Sequence, residues 1–133
     1  MTTPSPLLPE YLEHLRARLR VRTPLPDSLA HFCTEQPAEC LSLITRALQE
    51  VRSPNLIQAI GEGLLQNLLN ESSEVLRAEV AALLRTNERF RFAFASGTFS
   101  SVDTVLIDEW LEVFQALGTS KQAERKRLWT VAL

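Results

Sequence analysis

The sequence predicts an all-α fold: an irregular single-domain bundle of about six to eight helices spanning residues 1–133. Three observations carry that expectation. Apolar residues recur at helical spacing almost throughout, and no sustained alternating run marks a strand. Only 4 glycines interrupt the periodic stretches. Prolines stand where those stretches break, at Pro24, Pro26, Pro37 and Pro54. A chain of this length buries about two-thirds of the surface its unfolded form exposes, enough to fold without disulfides or metals. No period of about 30–45 residues repeats, which favours a bundle over a solenoid.

Residues 1–8 read as a flexible N-terminus. Leu8, Leu12, Leu15 and Leu19 then stand at i, i+4, i+7 and i+11, one stripe of a helix over about 9–22, which Thr23-Pro24-Leu25-Pro26 ends. Asp27 is placed as the N-cap of a short helix carrying Leu29, Phe32 and Cys33. Pro37 fits the first position of the next helix, which presents Cys40, Leu41, Ile44, Ala47, Leu48 and Val51. Ser53-Pro54 repeats the device ahead of Leu56, Ile57, Ile60, Leu64, Leu65, Leu68 and Leu69, an apolar face wide enough to be deeply buried. Asn70-Glu71-Ser72-Ser73 resets the chain, and Leu76, Val80, Leu83 and Leu84 define a further helix. A short aromatic segment, Phe90-Arg91-Phe92-Ala93-Phe94, is closed by Gly97. Ser100 and Ser101 open the last long helix, with the stripe Leu106, Trp110, Val113, Phe114 and Leu117 and a stop at Gly118. Residues 119–133 are either a terminal helix over about 121–132, capped by Ser120 with Leu128 and Trp129 docking back, or a tail.

Composition narrows the function classes. A hydrophobic content of 45% and a charged content of 23% match a soluble globular domain and disfavour disorder. The formal charge of −2 argues against a dedicated nucleic-acid binder. Arg16, Arg18, Arg20 and Arg22 alternate, so a helix spreads them over opposite sides and offers phosphates no single stripe. The N-terminus lacks the basic start and apolar core of a secretory signal, and no apolar run approaches the roughly 20 residues that span a bilayer. The expected address is cytoplasmic, without membrane or nucleic-acid partners. Cys33 and Cys40 are then reduced thiols, not a disulfide framework.

Four features invite a chemical reading. Gly61-Glu62-Gly63 resembles a phosphate loop in composition only; it sits inside an apolar helical pattern, so close helix packing or a kink is the expected reason for it. His31, Cys33 and Cys40 fall one short of a four-ligand zinc site, and His31-Phe32-Cys33 is not a usual ligand pair. Neither thiol carries the local signature of a nucleophile. No catalytic residue, metal or cofactor is therefore expected.

The fourth feature is charge. Asp103, Asp108, Glu109 and Glu112 lie on the last long helix without a Lys or Arg beside them, and Asp108, Glu109 and Glu112 fall off its apolar stripe as an acidic ridge. The chain then reverses sign at Lys121, Arg125, Lys126 and Arg127. The ridge is either a solvated face neutralised by that basic segment or a docking surface for a basic protein. Carboxylates on one exposed helix side do not face each other across a pocket, so glycosidase-type chemistry is not expected of them.

Residues 37–94 resemble a small uncharacterised family of bacterial all-helical proteins. The shared pattern is a proline-started helix, a G-x-G-P-L-E-x-L-L stretch and an aromatic-plus-basic F-R segment. Here it reads Gln36-Pro37-Ala38-Glu39, then Gly61-Glu62-Gly63-Leu64-Leu65-Gln66-Asn67-Leu68-Leu69, then Asn87-Glu88-Arg89-Phe90-Arg91. Leu64 replaces the pattern's Pro and Gln66 its Glu, so any role of that Glu is not carried over. The resemblance implies a free-standing bacterial protein and supplies no activity.

The expected function is non-enzymatic protein binding: an immunity-type inhibitor of a cognate bacterial toxin, with Asp103, Asp108, Glu109 and Glu112 meeting the partner. The alternative is a scaffold or adaptor that holds a partner helix in an apolar groove, for which Phe90, Phe92, Phe94 and Phe99 are the candidates. A small hydrolase or transferase, with a deep polar pocket around His31 or Glu62, ranks third. The oligomeric state is left open.

Overall fold

A computed structural model describes residues 7–18 and 25–133 of the chain. Among the described residues it forms eight helices, one of them a rod of two α-helical segments joined by a π turn, and no strand, a single all-α bundle. Helix α1 covers Leu8–Arg18, α2 Asp27–Glu35 and α3 Pro37–Glu50. Helix α4, Pro54–Ile60, passes through a π-helical turn, Gly61–Leu65, into α5, Gln66–Ser72, and the three make one continuous rod. Helices α6, Arg77–Thr86, α7, Glu88–Ser96, α8, Thr104–Ala116, and α9, Lys121–Arg127, complete the chain.

The π turn has a reason in the sequence. Ile57, Gly61, Leu65 and Leu69 form one buried row at strict i+4 spacing, and Ile60, Leu64 and Leu68 form another. In an α-helix of 3.6 residues per turn such a row drifts by about 40° at each step. A turn bonded i→i+5 rotates less per residue and brings both rows back to the core.

Helix α7 is the centre of the bundle, packed by α3, α4, the π turn, α6 and α9. Phe90, Phe92, Ala93, Phe94 and Ala95 are all buried, a distribution that only a helix enclosed on every side tolerates. The aromatic segment is thus a full helix, and its phenylalanines need no common face. Phe94 stacks on Phe99 at 4.7 Å between centroids and meets the edges or tilted faces of Trp110 and Phe114, both at 5.8 Å.

Two arginines of the F-R segment hold α7 in place. Arg89 donates to the Leu48 and Val51 carbonyls at the end of α3, both at 2.6 Å. Arg91 donates to the Leu84 carbonyl in the last turn of α6 at 2.9 Å. Each satisfies carbonyls that a helix end leaves open and places a cation at the negative end of the dipole.

Several boundaries differ from the sequence reading. Leu8 opens α1 and packs partly buried against the core with Leu7, where the flexible N-terminus was expected to run through residue 8. The expected continuation through Leu19, Arg20 and Arg22 lies outside the described residues. Tyr11, one turn before Leu15, joins that helix's buried face. Asp27 is the first residue of α2, not its cap; Pro26 holds that position. The last long helix is capped by Asp103, whose carboxylate accepts the Val105 N–H at 2.8 Å, and not by Ser100 or Ser101.

That helix ends as expected at Gly118, the one residue with positive φ, 74°, among those described. The Gly118 N–H donates to Gln115 and the Thr119 N–H to Phe114, both at 3.0 Å, a Schellman closure. Residues 119–133 do form a helix capped by Ser120, but it stops at Arg127. Leu128 docks fully, whereas Trp129 stays 48% exposed.

Candidate functional site: an acidic groove between α6 and α8

Helix α8 keeps Leu106, Trp110, Val113 and Phe114 in the core and turns Asp108 and Glu112 to solvent. The basic segment does not neutralise that face, because α9 packs on α7. Lys121 donates to the Gly97 carbonyl at 2.9 Å and lies over the Phe99 ring at 5.3 Å. Arg127 pairs with Glu88 and with the buried Glu124, and its guanidinium lies over Phe92 at 4.9 Å. Lys121 and Arg127 thus anchor α9 instead of cancelling the ridge, and Arg125 and Lys126 stay exposed without an ion pair to it among the described residues. Burial, with Arg125 nearby, lowers the Lys121 pKa from its usual value.

The four acidic residues divide by role. Asp103 spends an oxygen on the N-cap of α8. Glu109 accepts from Arg77 of α6 at 2.6 Å, and this hydrogen bond raises the pKa of the exposed Arg77 guanidinium. Asp108 and Glu112 make no ion pair among the described residues.

Arg77 is held twice, since its carbonyl also accepts the Trp110 indole N–H at 3.2 Å. These two contacts fix α6 against α8 and frame an open groove of about 760 Å³. Its floor is apolar: Val75, Ala78, Ala81, Val113, Ala116 and Leu117. Its rim carries four glutamates, Glu74, Glu79, Glu109 and Glu112, against two arginines, Arg77 and Arg85. Val75 is 70% exposed and Leu117 46%, so each end of the floor presents a large apolar side chain to water. The sequence reading missed the α6 wall, although Val75, Ala78 and Ala81 were legible as apolar residues off the Leu76–Val80–Leu84 stripe.

The other candidates lie elsewhere. Phe90, Phe92, Phe94 and Phe99 are buried, so they belong to the core and line no groove. Cys33 and Cys40 are fully buried; a hydrogen bond between the two thiols, together with burial, raises the Cys40 pKa, the reverse of an activated nucleophile. Among the described residues no group of three or more His, Cys, Asp or Glu side chains is placed to hold a metal. His31 and Glu62 are both exposed. Glu62 does border a small cavity of about 290 Å³ beside Arg18 and Gly63, but two of its polar lining residues are engaged: Gln66 accepts the Thr98 N–H at 2.8 Å and Asn70 the Ser101 N–H at 3.1 Å.

No helix among the described residues is long and apolar enough to cross a membrane. Compared with protein-family models, curated proteins and solved structures, the chain matches none.

Proposed function

We propose that the chain is a non-enzymatic protein-binding protein: an immunity-type inhibitor, acting in a bacterial cytoplasm, that docks the acidic face of α8 on a basic toxin domain. The observation that carries this reading is the free charge of that face. Asp108 and Glu112 stand exposed on α8 and make no ion pair among the described residues, while Lys121 and Arg127 are turned to the Gly97 carbonyl and to α7. Unneutralised carboxylates on a fixed helix steer a basic partner and favour its encounter. A scaffold or adaptor holding a partner helix is the second reading, and the apolar floor between α6 and α8 favours it.

The test is capture of the tagged chain's partner from its host at low salt, followed by Asp108→Lys and Glu112→Lys in the purified complex. Glu109 is spared because its charge holds Arg77. One stoichiometric partner, silenced by the chain and released by salt, is expected, with affinity lowered about tenfold or more by the double reversal. Unchanged affinity and salt response would remove the α8 face from the function. A bound partner whose activity is untouched would select the scaffold reading.

A further inference from the structure

We infer that the α6/α8 groove takes a basic amphipathic helix of the partner protein, its apolar stripe seated between Val75 and Leu117 and its Lys or Arg side chains against Glu74, Glu79 and Glu112. This rests on the reading of the chain as a protein-binding protein and adds what occupies the site.

The walls select a helix. Both are α-helices whose backbone groups are spent internally, so no free edge exists to pair an added strand. The floor is built largely of alanine, with Ala78, Ala81 and Ala116 between the larger Val75, Val113 and Leu117. Small residues let a docked helix approach closely, and the apolar ends give its i and i+7 anchors something to cover. The ten residues of α6 make a wall about 15 Å long, close to three turns of a ligand helix.

The rim selects its charge. Four glutamates face two arginines; Arg77 is already bound to Glu109, and Arg85 makes no ion pair among the described residues. An acidic helix would bring like charges together along the rim, whereas Lys or Arg flanking an apolar stripe would complete the charge balance. The groove is also preformed. Trp110 and Glu109 pin α6 at its first residue, so binding need not order the wall.

A second copy of this chain fits less well, because the anchor residues of its basic helix are in use. Lys121 and Arg127 hold α9 to α7, and Leu128 is fully buried. Arg125, Lys126 and Trp129 are the exposed remainder.

The probes are three synthetic peptides of about 14 residues, long enough to span the wall with about one helical turn to spare. One is a Leu/Lys helix with Leu at i, i+3/i+4 and i+7, one its Leu/Glu counterpart, and one a Leu/Lys peptide of alternating pattern. Methyl NMR of the full chain reads where each binds. The Leu/Lys helix is expected to shift Val75, Ala78, Val113 and Leu117, to lose about tenfold in affinity from low to physiological ionic strength, and to bind about tenfold more weakly to the Glu79→Lys/Glu112→Lys variant. Ala78→Arg, at an exposed position and with circular dichroism as the check that the fold is kept, should block it. Equal binding of the Leu/Glu peptide, shifts centred on Trp129, or no binding would overturn the proposal. So would a concentration-dependent dimer of the free chain abolished by Ala78→Arg, since the occupant would then be a second copy. If the natural partner is captured and Asp108→Lys weakens it while Ala78→Arg does not, the groove proposal fails and the protein-binding reading stands. Asp108 lies outside the groove lining, so the two substitutions report separately.

Discussion

Two glycines one residue apart in the π turn do different work. A Cβ on Gly61 would lie 2.0 Å from the Ala93 carbonyl oxygen of α7, a backbone atom with nowhere to go. A Cβ on Gly63 would meet only the Nη1 of Arg18 at 2.8 Å, the far end of a flexible side chain. Gly61→Ala should therefore separate the central rod from α7 and cost about 3 kcal/mol or more. Gly63→Ala should be neutral or stabilise by up to about 1 kcal/mol, because a helix-interior glycine carries that much backbone entropy. Urea midpoints of the two variants check the pair, and similar losses for both would show that Gly63 has a packing role too. The sequence marked both glycines for close packing or a kink, because both interrupt one apolar pattern. It did not separate them, since the deciding atoms, the Ala93 carbonyl and the Arg18 side chain, come from other helices.

The same division between local and tertiary information holds for whole elements. Helices started by Pro37 and Pro54, capped by Ser120 or stopped by Gly118 were legible because each signal sits within a few residues of the boundary it sets. Helix α7 was legible only as an aromatic segment, because a fully enclosed helix has no stripe to find. Helix α9 was legible as a helix but not in its placement. Its run of basic residues suggested an electrostatic partner, and the acidic helix before it was the nearest one. In the fold two of those cations instead serve aromatic rings: Lys121 lies over Phe99 and Phe94, Arg127 over Phe92. The pair of Arg127 with Glu88 is exposed and adds little. Lys121, half-buried and bonded to the Gly97 carbonyl, should hold α9 more firmly, by about 1 kcal/mol. Hydrogen exchange in residues 121–128 should accelerate about fivefold in Lys121→Ala and less in Arg127→Ala, with α1 to α3 unchanged. Acceleration spread through α7 would show instead that α9 and the central helix open as one unit.

At the scale of the molecule, the question is whether the bundle opens as one body. Cys33 of α2 and Cys40 of α3 report on it, because both are fully buried. The Cys33 thiol also reaches the Leu64 carbonyl of the π turn at 3.9 Å, so the pair lies where α2, α3 and the central rod converge. A thiol reagent has no path to either sulfur without separating those elements. If the core is a single cooperative unit, Cys33 and Cys40 should label together, in proportion to the globally unfolded population. The urea dependence of labelling should then match that of equilibrium unfolding, a slope of about 1–3 kcal/mol/M for a chain of this size. Mass spectrometry of quenched samples separates the two sites. Cys33 reacting ahead of Cys40 with a shallow urea dependence would mean that α2 detaches alone, leaving α3 on the rod. The groove lies between α6 and α8, and neither thiol borders it. A Leu/Lys helix bound there to the native bundle alone should slow the labelling of both cysteines equally, by the factor 1 + [L]/Kd. If α2 opens locally, the same ligand should protect Cys40 and leave Cys33 unchanged.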